Sequence, residues 1–288
     1  MAFRTAATSL NHCVELVRRQ DPERFLCNLH APQAARHGLF AVHAFNVETA
    51  KIRAATSEGN IGRMRFAWWR RALSQAAEGA PPDHPVVQAL AHAGAHYGWT
   101  WRYLEQLLDA RETDLDLVQP ESGRHLLTYC ERTAGALCLL ACECARGSDE
   151  ARAREQAALN VGAALGIATL LRGLPAHASL GCTYIPVDVA NRHNLSQKEA
   201  LQGRDSVALA DAVRELSNNG VTHLLAARSL RDELAPSTRA VLLPASVAEL
   251  VLHRLHVSNY SPFASNVGRP LGLRLQLALG WHWCRGTF

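Results

Sequence analysis

The segment Leu126-Leu127-Thr128-Tyr129-Cys130-Glu131-Arg132-Thr133-Ala134-Gly135-Ala136-Leu137-Cys138-Leu139-Leu140-Ala141-Cys142-Glu143-Cys144 decides the fold class. Positions Leu126, Cys130, Thr133, Leu137, Leu140 and Cys144 step by three or four, which puts them on one face of a helix about five turns long. A second series, Leu209, Val213, Leu216, Gly220, Leu224 and Ala227, keeps the same period. Asn218-Asn219-Gly220 inside it is a turn signal, and the spacing predicts one long helix in spite of it. Strand-like alternation is nearly absent. The nearest candidates are Cys182 to Val187 and the alternating leucines after Pro270.

The breaks between periodic stretches fall where bundle loops belong. Gly79-Ala80-Pro81-Pro82 separates a helix carrying Trp68 and Trp69 from one starting near Pro85. Gly147-Ser148 offers a turn and an N-cap, and Ser196 with Glu199 forms a capping box. The long irregular stretch lies between Gly173 and Asn194, and loops of that length inside a domain are usually functional or relics of function. With no repeat and no composition shift, the expectation is an all-α, single-domain helical bundle of about ten helices. It spans residues 11–288, with residues 1–10 as a short tail.

The 288 residues are 48% hydrophobic and 19% charged, a balance that excludes a disordered chain. The net charge is +4, and the basic residues are scattered rather than blocked, so a nucleic-acid partner is not expected. Eight cysteines without a CxxC pair read as reduced thiols of a cytosol-like or matrix-like compartment. Met1 to Leu10 holds Arg4, Thr5, Thr8 and Ser9 and no acid, a composition compatible with the remnant of a mitochondrial presequence. No run of about 18 apolar residues is present, so no membrane-spanning helix is expected.

Several groups could carry chemistry. His84, His92 and His96 could share a metal, yet the further ligands that zinc needs are missing, and solvated or capping histidines are the simpler reading. Cys138, Cys142 and Cys144 read as core. Neither Gly-x-Ser-x-Gly nor a glycine-rich phosphate loop occurs. Asp109, Glu112, Asp114 and Asp116 gather acids around Arg111, which favours a solvated helix face or a helix end over a metal cluster. The C-terminal stretch from Arg269-Pro270-Leu271 to Trp281-His282-Trp283-Cys284-Arg285 sets leucines and two tryptophans among arginines. It reads equally as a last helix docked on the core or as a membrane-interface contact through Leu271, Arg274, Trp281 and Trp283.

Four blocks in register resemble the squalene/phytoene synthase family. They are Phe25-Leu26-Cys27 with Pro32, Arg36 and Phe40-Ala41-Val42-His43-Ala44-Phe45; Asp109 to Leu115; Tyr129-Cys130 with Ala134-Gly135; and Leu170-Leu171-Arg172 with Tyr184-Ile185-Pro186. The resemblance implies an all-α isoprenoid-synthase fold, and for the family's enzymes the head-to-head joining of two prenyl diphosphates by Mg²⁺ held on aspartates of two facing helices. Mg²⁺ requires hard oxygen ligands. Counted without gaps from Phe45, the first acidic window reads Ala50-Lys51-Ile52-Arg53-Ala54; counted from Arg172, the second reads Gly173-Leu174-Pro175-Ala176-His177. Glu48 alone could give one ligand.

The phrases Cys13-Val14-Glu15-Leu16-Val17-Arg18, Phe45-Asn46-Val47-Glu48, Ile61 to Trp69 and Ala226-Ala227-Arg228-Ser229 resemble the non-catalytic mitochondrial branch of that family. This resemblance implies a matrix protein, peripheral to the inner membrane, that assists biogenesis of the membrane-embedded ND1 region of respiratory complex I without cofactor or metal. Its partners would be membrane-arm or assembly-intermediate subunits, with a lipid or isoprenoid as a further candidate. The vestigial pocket expected on this basis comprises His43, Phe45, Asn46, Ala50, Ala54, Tyr129, Gly135, Arg172, Gly173, His177 and Tyr184. Two alternatives stand beside it: an active transferase using Asp109, Glu112 and Asp114, and a lipid-binding module with no protein partner.

Overall fold

A computed structural model describes residues 2–55 and 59–288, with side chains from residue 7 onward. The chain order is α1 (Ala2–Gln20), α2 (Pro22–His30), α3 (Gln33–Ala50), α4 (Gly59–Ala77), α5 (Pro85–Tyr97) and α6 (Arg102–Glu112). A 3₁₀ turn at Thr113–Asp116 leads to α7 (Gly123–Cys130), a π-helical turn at Glu131–Gly135 and α8 (Ala136–Ala145). Then come α9 (Ala151–Arg172), α10 (Leu174–Ser179), α11 (Val187–Arg192), α12 (Gln197–Ala200) and α13 (Val207–Ser229). The last are α14 (Pro236–Val241), α15 (Pro244–Val257) and α16 (Leu273–Arg285). No strand occurs among the described residues, and both strand candidates resolve otherwise: Cys182 to Pro186 is irregular with Val187 opening α11, and of the leucines after Pro270 those from Leu273 on belong to α16.

Helix α9 is central because it is apolar almost all round. Ala157, Ala158, Val161, Ala164, Leu165, Ile167, Ala168 and Leu171 are all buried, and α13, α15, α8 and the π-helical turn pack against it. The helical face expected from Leu126 to Cys144 is buried at all six positions. The path is not one helix, however, since the π-helical turn divides it at Glu131–Gly135. Helix α13 runs unbroken through Asn218-Asn219-Gly220. There Gly220 faces Leu252 of α15, so the turn signal yields to packing.

Local caps follow the residue chemistry. Ser122, Ser196 and Ser206 accept backbone N–H groups at the starts of α7, α12 and α13, and Asp21 does so for α2 with Pro22 as the first helical residue. Ser148 does not cap α9, whose N-cap position is Glu150 with no side-chain bond. The carboxylate of neighbouring Asp149 instead accepts from Ala235 N–H and Thr238 Oγ1 (2.5 Å) at the start of α14. Of the tail expected at residues 1–10, residues 2–10 belong to α1, and Ser9 donates to Gln88 of α5 at 2.8 Å. No helix among the described residues is long and apolar enough to cross a membrane.

Candidate functional site

The end of α3 and the α9–α10 junction face one another across a cavity of about 670 Å³. Asn46, Ala50, Lys51 and Ala54 line one side, and Arg172, Gly173 and His177 line the other. The two windows predicted to be opposed are therefore juxtaposed. The start of α2 closes a third side with Asp21, Glu23 and Arg24, and Arg111 enters from α6.

The cavity's charges are paired unequally. Asp21 meets Arg24 at 2.5 Å, and Glu23 meets Arg172 at 2.8 Å while also accepting the Leu271 N–H at 3.4 Å. Among the described residues these two are the only acids in the lining, and each is neutralised by an arginine, while Lys51 and Arg111 add further positive charge. This donor set does not fit Mg²⁺, which would need carboxylate oxygens free of a competing cation. Glu48, the single candidate ligand of the first window, is outside the lining and acts on Cys13 and His84. No group of three or more His, Cys, Asp or Glu among the described residues is arranged to hold a metal ion.

Arg111 also belongs to a wall between this cavity and a second one of about 400 Å³, lined by Tyr129, Tyr184, Asp114 and Cys182. The Asp114 carboxylate accepts from the Tyr129 hydroxyl at 2.9 Å and from the Tyr184 hydroxyl at 2.6 Å. Arg111 Nη1 donates to the Tyr129 oxygen at 3.0 Å and lies 3.7 Å from Asp114. Burial pushes both tyrosine hydroxyls well above their ordinary range, so they donate and do not ionise. His177 stacks edge-on against Tyr184 at 4.8 Å. Burial, with Arg53 and Arg111 nearby, holds His177 down at about 4, so it is neutral at pH 7.

The expected pocket residues therefore separate. Asn46, Ala50, Ala54, Arg172, Gly173 and His177 line the first cavity; Tyr129 and Tyr184 line the second. His43, Phe45 and Gly135 line neither, because they are core. His43 pairs with Asn28, Phe45 packs edge-on against Trp69 at 5.2 Å, and Gly135 is pressed against Gly162 of α9. The alternative acid set does not assemble either. Arg70 ties Asp109 at 2.8 Å and Glu112 at 2.6 Å at the surface, while Asp114 points inward to the tyrosines. His84 packs against Trp68 and Trp69, apart from His92 and His96, which border a surface groove. Cys138, Cys142 and Cys144 are buried free thiols. Leu271 is also buried, so of the four candidate membrane contacts only Arg274, Trp281 and Trp283 are exposed.

Asp21, Glu23 and Arg24 were missed by sequence reasoning. The Asp-Pro helix start at Asp21-Pro22 marks the cap, but nothing local reveals that Glu23 meets Arg172, 149 residues away.

The described residues form sixteen α-helices with α9 at the centre and a cavity between the ends of α3 and α9, an all-α isoprenoid-synthase fold. A dehydrosqualene synthase structure superposes with a TM-score of 0.85 over 98% of this chain and 97% of that one, at 18% identity. The squalene/phytoene synthase family model matches residues 17–278, and the chain belongs to that family. The chain is 32% identical over 270 residues, 92% of its length, to NADH dehydrogenase (ubiquinone) complex I, assembly factor 6, of Rattus norvegicus, covering 80% of that protein. The protein of the same name from Bos taurus is 31% identical over the same share.

Proposed function

We propose that this chain acts in the assembly of ubiquinone-linked respiratory complex I as a non-catalytic member of its family, in the mitochondrial matrix and peripheral to the inner membrane. The charge of the first cavity carries this reading. Where bound Mg²⁺ would need opposed carboxylates there are Ala50, Lys51 and Ala54 facing Gly173 and His177, and the nearby acids Asp21 and Glu23 are held by arginines. No described residue of that lining could neutralise a departing diphosphate by way of a metal. Similarity over 92% of the chain to proteins named as complex I assembly factors supports the same conclusion. The partners would be membrane-arm or assembly-intermediate subunits, and the first cavity is binding space inherited by a protein that no longer performs transfer.

Deleting the gene in the source organism and resolving respiratory complexes on native gels tests the proposal. The expected result is loss of assembled complex I with accumulation of subassemblies, restored equally by the wild type and by Asp109→Ala. Intact complex I in the deletion strain would overturn the reading. So would Mg²⁺-dependent release of diphosphate from farnesyl diphosphate by the purified protein, abolished by Asp109→Ala.

A further inference from the structure

Helix α16 exposes what a soluble helix normally buries. Leu273 is 68% exposed, Leu277 67%, Trp281 61% and Trp283 61%. Leu273, Leu277 and Trp281 recur every four residues and so share one face, with Gly280 and Cys284 alongside them. The opposite face docks on the protein through the buried Leu275 and Leu279. The helix thus has two apolar faces, and only one has a partner among the described residues.

Charge identifies the missing partner. Residues 250–288 contain no Asp or Glu and four arginines, Arg254, Arg269, Arg274 and Arg285. Residues 1–249 carry as many basic as acidic side chains, so the whole formal surplus of +4 lies in this final segment. Arg254 is buried and holds the carbonyls of Arg269 and Pro270, which fixes the loop leading into α16. Arg269, Arg274 and Arg285 are exposed beside the apolar face, and the Arg285 guanidinium sits 4.9 Å over the Trp281 ring. A second copy of the chain seated on this face would bring like charges together, whereas a surface of anionic headgroups over hydrocarbon satisfies arginines, tryptophans and leucines at once.

We propose that α16 lies in the interface of an anionic phospholipid bilayer, with Leu273, Leu277 and Trp281 sunk toward the acyl chains, Trp283 at headgroup level and Arg269, Arg274 and Arg285 on the lipid phosphates. This names the membrane-contacting surface of the peripheral protein proposed above and rests on that reading for its setting. Pro270 lines the first cavity and Leu271 N–H binds Glu23 at its edge, so the docking helix begins at the cavity rim.

Sedimentation of the full chain with vesicles tests the proposal, using phosphatidylcholine alone and phosphatidylcholine mixed with phosphatidylglycerol. The wild type is expected to pellet with the mixed vesicles, to bind the neutral ones at least about tenfold more weakly, and to be released by added salt. Leu277→Glu with Trp281→Glu should abolish pelleting, and Arg274→Glu with Arg285→Glu should remove the preference for anionic lipid. All four side chains are exposed, so an unchanged helical circular dichroism spectrum and melting temperature confirm that the variants are folded. Wild type remaining in the supernatant with mixed vesicles would overturn the proposal, as would variants that pellet like wild type. A wild-type dimer in solution that Trp281→Glu converts to monomer would also overturn it, assigning the face to a second copy. A failure to bind vesicles while deletion still removes complex I would sink this surface and leave the assembly role standing.

Discussion

Asn28 Nδ2 lies 3.0 Å from His43 Nδ1, and because an amide N–H can only donate, that ring nitrogen accepts and the imidazole is neutral. Burial, with Arg24 nearby, holds His43 down at about 3, and His177 is held at about 4. Both values lie below the ordinary 6.5, so the unfolded chain takes up protons at a higher pH than the folded one. The stability the two histidines contribute is complete above pH 6.5 and is lost as the pH falls toward about 4 for His177 and about 3 for His43. The slope is at most about 1.4 kcal/mol per pH unit for each histidine. Urea midpoints measured from neutral pH down to about pH 4.5 should fall in the wild type and fall less steeply in His43→Gln, which keeps an acceptor for Asn28. Equal slopes would mean that His43 is not buried neutral. The sequence marked His43 only as part of a family block; its place in the core depends on Asn28 of another helix.

At the scale of elements, the contact between α9 and the π-helical turn is set by two glycines. A Cβ on Gly162 would strike the Gly135 backbone and come within 2.9 Å of the Ala134 carbonyl carbon. Backbone cannot step aside as a flexible side chain can, so Gly162→Ala should cost at least about 2 kcal/mol in chemical denaturation. Gly280 in α16 is the contrasting case, since an added Cβ there meets nothing within 4 Å. Gly280→Ala should raise stability by about 0.5–1 kcal/mol through helix propensity alone. If Gly162→Ala were neutral, the close crossing at the π-helical turn would be wrong. Both glycines lie in helical sequence, and spacing along one helix does not distinguish a glycine that touches another backbone from one that faces solvent. The register of Leu126 to Cys144 was legible because its inward face is continuous, while the π-helical insertion within it leaves no mark on apolar spacing.

The whole molecule is tied together at its ends. α1 packs on α3 and α5, α16 packs on α15 and α2, and the buried Phe288 offers its carbonyl to Arg228 at 2.6 Å. The expectation of a single domain over residues 11–288 predicts one cooperative calorimetric transition rather than two. Its midpoint should be unchanged by EDTA or by millimolar Mg²⁺, because a ligand stabilises only what binds it. A rise of several degrees with Mg²⁺ would contradict the cavity chemistry described for Asp21 and Glu23. The sequence by itself determined the helical class, the central apolar helices, and the absence of any Asp or Glu from Ala50 to Ala54 and from Gly173 to His177, because periodicity and charge can be read along a single stretch of chain. Only the tertiary structure decided that Glu23 neutralises Arg172, that Tyr129 and Tyr184 share Asp114 across 15 and 70 residues, and that Leu271 turns inward while Leu273 and Leu277 turn out. A helix apolar on two faces, as α16 is, does not specify which face is covered; its neighbours do.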